Sequence, residues 1–285
     1  MSRQANSAKK PVCLAFFQFG AIFFTPEPCQ ISLMKSYLPA LLILLGLLQP
    51  LAGALAPVLG IGTPIGSATR NLGAPEQPLP VFFSIWGLIF GAFLAFALYT
   101  WQQRAPWMQR VGTPLALAGA ANVLWMLSAQ LIASQVVDFV LLFPIAYFSW
   151  TAAARFDRTR GLGGSAEKLL ADAATGLLSG WILVAIGISV PLLIRAFTPY
   201  GPTDFPWQML WITLGTAAFG SWMFARYVSR SLWFFAALAW GLLGIVANNW
   251  TVTGMGWIAI MTGVSGIIIL SLRLLRGADG TTIPA

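Results

Sequence analysis

The sequence predicts an all-α integral membrane protein, a polytopic helical bundle of about eight transmembrane helices. Three observations carry this. The chain of 285 residues is 58% apolar and only 8% charged. Apolar runs of about 20 residues recur almost from end to end, the length a helix needs to cross a ~30 Å hydrocarbon layer, whereas a β-barrel would show alternating segments of about ten. With the loops assigned alternately to two sides, 14 of the 16 Lys and Arg fall on one side, leaving only Arg70 and Arg195 on the other. That asymmetry is the positive-inside bias. It puts both termini in the cytoplasm and checks the count, because a missed helix would scramble the alternation.

Taken in order, the spans are 38–59, 82–101, 114–133, 136–154, 175–194, 208–227, 232–249 and 255–274. An earlier apolar stretch, 12–24, is too short to cross. It precedes Met34-Lys35-Ser36, which reads as a natural start followed by a hydrophobic helix. Residues 1–33 are therefore expected to be an extension without a role in the fold, the alternative being an interfacial tail. The remaining chain divides into a five-helix bundle over 34–197, three additional helices over 198–276 and a tail over 277–285. The net charge of +8 is explained by the membrane bias, so no nucleic-acid partner is expected. Cys13 and Cys29 imply neither a disulfide framework nor a metal site.

The longest external connection, 60–81, holds Pro64, Pro75, Pro78 and Pro80 with several glycines. It reads either as a stiff linker or as a lid over the outer face, with Arg70, Pro78 and Pro80 as its marked residues. The cytoplasmic loop 155–172 reads as a solvated connector. Gly87 and Gly91 on the second span, and Gly176 and Gly180 on the fifth, have the spacing that lets helices approach closely. Pro144 and Pro191 interrupt the fourth and fifth spans, as tolerated kinks or as shapers of a cavity. Trp86-Gly-Leu-Ile echoes Trp240-Gly-Leu-Leu on helices of opposite direction, a short match for which chance is the better account.

The chain has no His. This removes the commonest general base and the usual metal ligand. No phosphate-binding loop and no nucleophile elbow is present, so an enzyme is not expected. Asp138 is the one acid read near a span. It is either a helix-start acid, favourable beside the positive end of the helix dipole, or a ligand contact. The lack of other intramembrane charges argues against an ion-coupled carrier.

The Trp residues fall into two classes. Trp101, Trp107, Trp150, Trp207, Trp211, Trp233, Trp250 and Trp257 lie near predicted helix ends, as in an interfacial belt. Trp86, Trp125, Trp181 and Trp240 lie deeper, and Trp222 is intermediate. Deep indoles either pack as plain core or line an aromatic pocket. Asn122 either bonds a neighbouring helix or forms such a pocket's floor; the two roles are compatible if its amide positions Trp125.

At these residues the chain resembles the tryptophan-rich sensory, TspO/translocator-related membrane proteins. A proline-led helix with aromatic-x-x-Trp-x-x-x-aromatic is matched by Pro80, Phe83, Trp86 and Phe90. Asn-x-x-Trp is matched by Asn122 and Trp125, the acid opening the next helix by Asp138, and the fifth-helix Trp by Trp181. The resemblance covers the first five spans in order. The chain departs from it at Phe90, where a tyrosine is usual, and at Ala185-Ile-Gly-Ile-Ser189, where an asparagine is usual. The resemblance implies an outer-side cavity for a hydrophobic, often planar ligand such as a porphyrin or other tetrapyrrole, a pigment or a lipid. It also implies a closing loop, a sensory or transport role, and homodimers.

The ligand-binding set expected is thus Phe83, Trp86, Phe90, Asn122, Trp125, Asp138, Trp181 and Trp240, with Arg70 and Arg195 available to meet a ligand's carboxylates. The alternative is a structural subunit of a larger, pigment-containing membrane complex. The expected partners are membrane lipids, a hydrophobic small molecule, and a second copy or a complex partner. The expected location is a bacterial inner membrane.

Overall fold

The computed structural model of the chain describes residues 28–65, 73–159 and 164–275. The described residues are helical with no strand. The chain divides into two units, Met1–Tyr37 and Leu38–Ala285. The first is described only from Pro28, as the opening of helix α1 (Pro28–Gly53). Met34 lies within that helix. Residues 1–27, with the short stretch 12–24, lie outside the described residues.

In the second unit α1 continues and is followed by α2 (Leu55–Leu59), α3 (Ile85–Gln103), α4 (Pro106–Leu131) and α5 (Gln135–Thr159). Then come α6 (Ser165–Ala196), α7 (Pro206–Met223), α8 (Leu232–Thr251) and α9 (Gly256–Ser271). Each predicted span falls on one of these elements, the first on α1 and α2 together. Among the described residues six helical segments are long and apolar enough to cross a membrane; the apolar run Tyr37–Gly53 of α1 is shorter. α7 is not among the six because Gln208, three Trp and its small polar residues dilute its 18 residues.

The helix starts differ from the predicted ones for local reasons. α4 begins at Pro106, where the missing N–H costs nothing in a first turn, and Pro114 is carried inside the helix. The expected connector 155–172 is largely helix. α5 continues to Thr159, and α6 opens at Ser165, where Glu167 accepts from the Gly164 N–H at 2.9 Å. The first span is broken at Ala54. Pro57 has no N–H to give the Gly53 carbonyl, and Gln130 of α4 enters the helical ladder on either side of the break. Its Nε2 donates to the Ala52 carbonyl at 2.6 Å, and its Oε1 accepts from the Ala56 N–H at 2.9 Å.

α6 is the hub, packing against α3, α5, α7 and α8, while α9 closes on α7 and α8. Its glycines explain the close fit to α8. A Cβ on Gly180 would lie 3.0 Å from the Ala237 Cβ and collide with the Phe234 carbonyl; one on Gly176 would lie 2.9 Å from the Phe234 N. The spacing at Gly176 and Gly180 therefore does what the sequence suggested. Gly87 and Gly91 do not: a Cβ on either meets nothing, and both are exposed on the outer surface of α3.

Candidate ligand-binding site

The site lies at the bundle end that carries the 60–79, 132–134 and 197–205 connections. A short 3-10 turn, Pro80–Ser84, feeds α3 and sets Phe83, Trp86 and Phe90 one helical turn apart along one side. α4 brings Trp125 and α6 brings Trp181. The Trp86 ring stacks on Trp125 at 5.8 Å between centroids and on Phe90 at 5.5 Å. It meets Trp181 edge-on at 6.3 Å, and Trp181 meets Phe83 edge-on at 5.5 Å. These geometries are favoured by the ring quadrupoles.

The cluster both packs and encloses. One cavity of about 90 Å³ has Phe83, Trp86, Trp125 and Trp181 on one side, and Ala185, Ile188, Ser189 and Leu192 of α6 on another. Ala129 of α4, Gln135 and Asp138 of α5 and Ile65 of the loop complete its lining. A second, of about 330 Å³, lies between the broken first span (Pro50, Gly53, Ala54, Pro57) and Phe83, Trp86 and Phe90. The two share Ile65, Phe83 and Trp86. The larger is at the low end of the ~300–1,000 Å³ common for small-molecule sites.

The polar groups of this wall are few. The indole N–H groups of Trp86 and Trp125 are buried and donate to no acceptor among the described residues. Asp138 stands in the first turn of α5, its Oδ1 accepting from the Ser128 hydroxyl at 2.8 Å.

Asn122 does not line either cavity. It is fully buried and donates to Gln49 Oε1 at 2.8 Å, while Gln49 donates to the Leu45 carbonyl. It is thus the helix-to-helix bond of the two roles considered, joining α4 to α1. Trp240 is also not in the site. It is 39% exposed on α8, and its Nε1 donates to the Phe82 carbonyl at 2.7 Å. Reversed helix direction gave it the same sequence surroundings as Trp86 but a different partner surface. Trp107, expected in the interfacial belt, is buried against Phe156 instead.

The 60–81 connection is two things. Its first part stays near the site: the Thr63 N–H donates to the Gln130 carbonyl at 2.9 Å, and Pro64 and Ile65 line the cavities. Gly62, at φ +86°, presses so close to Gln130 that no side chain fits. Arg70 lies outside the described residues. The later part, 74–78, is buried as a wedge, and so behaves as neither a free lid nor a bare linker. Asn248 donates to the Ala74 carbonyl at 3.1 Å and Asn249 to the Pro75 carbonyl at 2.6 Å. The Leu79 N–H donates to the Gly244 carbonyl at 2.9 Å, and Pro78 covers Gly244, where a Cβ would lie 2.7 Å away. Pro80 opens the 3-10 turn below.

Within the wedge Glu76 forms a buried, two-pronged ion pair with Arg195. Arg195 also donates to the carbonyls of Gly201 and Pro202, each at 3.1 Å. Burial pushes the Glu76 carboxyl above its ordinary value, and the guanidinium pulls it back. Arg195, expected to meet a ligand's carboxylates, is therefore committed to the protein's own acid. The sequence reading missed Glu76 because it sits in a proline-rich loop rather than on a span. It missed Gln49 and Gln130 because a single amide in an apolar run gives no periodic signal.

A polytopic membrane bundle with an aromatic cavity at one end is the class these features define. The chain belongs to the TSPO-like protein family, whose model matches residues 43–275. The match does not stop at α6; it includes α7, α8 and α9. Searches of curated proteins and of solved structures return no match.

Proposed function

We propose that this integral membrane protein binds a hydrophobic aromatic ligand in the Trp86–Trp125–Trp181 cavity and serves a sensory or transport role through binding rather than catalysis. The observation that carries the reading is the pair of buried indole N–H groups, on Trp86 and Trp125, that find no acceptor among the described residues. A buried donor without a partner is costly, and a ligand oxygen or nitrogen among the rings would relieve it. The flat ring faces suit a planar body. A tetrapyrrole fits the rings, but its carboxylates would have to point away from Asp138 towards the mouth. The cation bias supports an inner-membrane orientation with both termini cytoplasmic.

The test is titration of a planar aromatic probe such as protoporphyrin into protein in lipid nanodiscs, read as quenching of Trp fluorescence. Saturable quenching that weakens on Trp86→Ala and Trp125→Ala is expected. Quenching no different from empty nanodiscs would reject the reading. The structural-subunit alternative rests on Gly87 and Gly91, which face outward where a partner helix could approach. A lone monomer on native mass analysis after mild extraction would count against it.

A further inference from the structure

We infer that the ligand is a lipophilic organic cation, an aromatic body bearing an ammonium or amidinium-type charge, held in an aromatic cage closed by Asp138. This deepens the binding reading above and rests on it. Three observations point the same way. The smaller cavity is walled by three indoles and a phenyl ring set at steep and shallow angles to one another. Aromatic rings attract cations most strongly when both are desolvated.

The one charged side chain among the described lining residues is the acid Asp138. Only one of its oxygens is taken, by the Ser128 hydroxyl, a neutral donor.

The nearest structural candidate for a counter-cation is absent from the lining. Arg195 is four residues beyond Pro191 on the same helix, yet it is turned into the loop wedge and bound by Glu76 and two carbonyls. Among the described residues the lining therefore holds Asp138 with no cation beside it. The Gln135 amide beside Asp138 adds hydrogen-bonding capacity without adding charge.

The experiment compares three planar probes of one ring size on the full chain in zwitterionic nanodiscs at pH 7.4: 9-aminoacridine as the cation, acridine as the neutral body and acridine-9-carboxylate as the anion. Binding is read by equilibrium dialysis, with empty nanodiscs subtracted. The cation is expected to bind on the order of tenfold more tightly than acridine, and the anion more weakly than either. Asp138→Asn should erase the cation's advantage over acridine. Equal affinity for cation and neutral probe in the unaltered protein would overturn the inference while leaving the cavity as a ligand site. A tighter anion would overturn it as well. If none of the probes binds, the binding reading itself falls.

Discussion

Removing Glu76 is the sharpest probe of this architecture, because it strands a charge that the fold has taken out of water. The Glu76–Arg195 pair is buried on both sides, with side-chain exposures of 0% and 3%. Truncating one member of such a pair typically costs about 3–5 kcal/mol, mostly as the penalty on the charge left behind, against about 0–1 kcal/mol for an exposed pair. Glu76→Ala leaves Arg195 with only the Gly201 and Pro202 carbonyls. It should fall towards the lower part of that range. Arg195→Met leaves the carboxylate with no cation and orphans both carbonyls, so it should cost more. The double change Glu76→Met with Arg195→Met removes both charges. It should cost only the two lost carbonyl bonds, roughly 1 kcal/mol each, so the singles should add up to far more than the double. Equilibrium unfolding by SDS in mixed micelles would measure all four proteins. Because burial raises the Glu76 carboxyl, the native state holds that proton more tightly than the unfolded chain. Stability from this group is therefore present at low pH and is lost as pH rises through its folded value. Arg195→Met removes the guanidinium that pulls the value back and should extend that loss to higher pH. Single changes costing under about 1 kcal/mol, or strict additivity, would refute the reasoning.

Two further outcomes follow from the packing. Gly180→Ala should destabilise the bundle by about 1–3 kcal/mol, since its Cβ meets the backbone of Phe234, whereas Gly87→Ala and Gly91→Ala should be neutral or slightly stabilising; the same unfolding assay distinguishes them, and equal effects would contradict the α6–α8 seam. Asn248→Ala with Asn249→Ala should free the wedge, so that a cysteine placed at Ala74, fully buried in the unaltered protein, reacts with a membrane-impermeant maleimide in a background without Cys13 and Cys29. Unchanged protection would show that the wedge does not depend on α8.

What the sequence made legible was governed by length and by pattern. Twenty-residue apolar runs and one-sided cations depend on the bilayer, which acts on every span alike, and so the helices and their order could be read directly. The convergence of Trp86, Trp125 and Trp181 was readable because bulky indoles at depth are uncommon and three spans carried one each. Trp240 shows the limit of that argument. Depth along a helix can be counted from the sequence, but which side of the helix faces the core cannot when all sides are apolar. The same ambiguity misplaced Gly87 and Gly91, whose spacing matches that of Gly176 and Gly180 although only the latter meet a neighbour.

The polar groups were hidden for a different reason. Gln49, Glu76, Gln130, Asn248 and Asn249 each find partners far away in the chain. In an interior without water a polar side chain has to be satisfied by protein; Gln49 meets Asn122 between two regular helices, and the others mark places where the backbone departs from regular helix. Gln130 sits at the break in the first span, Asn248 and Asn249 at the wedge, and Arg195 at the end of α6. All of these departures lie at the end of the bundle that holds the cavity. All four residues that bind the wedge, Arg195, Gly244, Asn248 and Asn249, belong to helices beyond α5, and the last three belong to α8, outside the first five spans. The added helices thus hold the later half of the 60–81 connection in place, while its first half, through Pro64 and Ile65, remains part of the cavity wall. The Asn248/Asn249 double variant is therefore the change that tests whether the later half depends on α8.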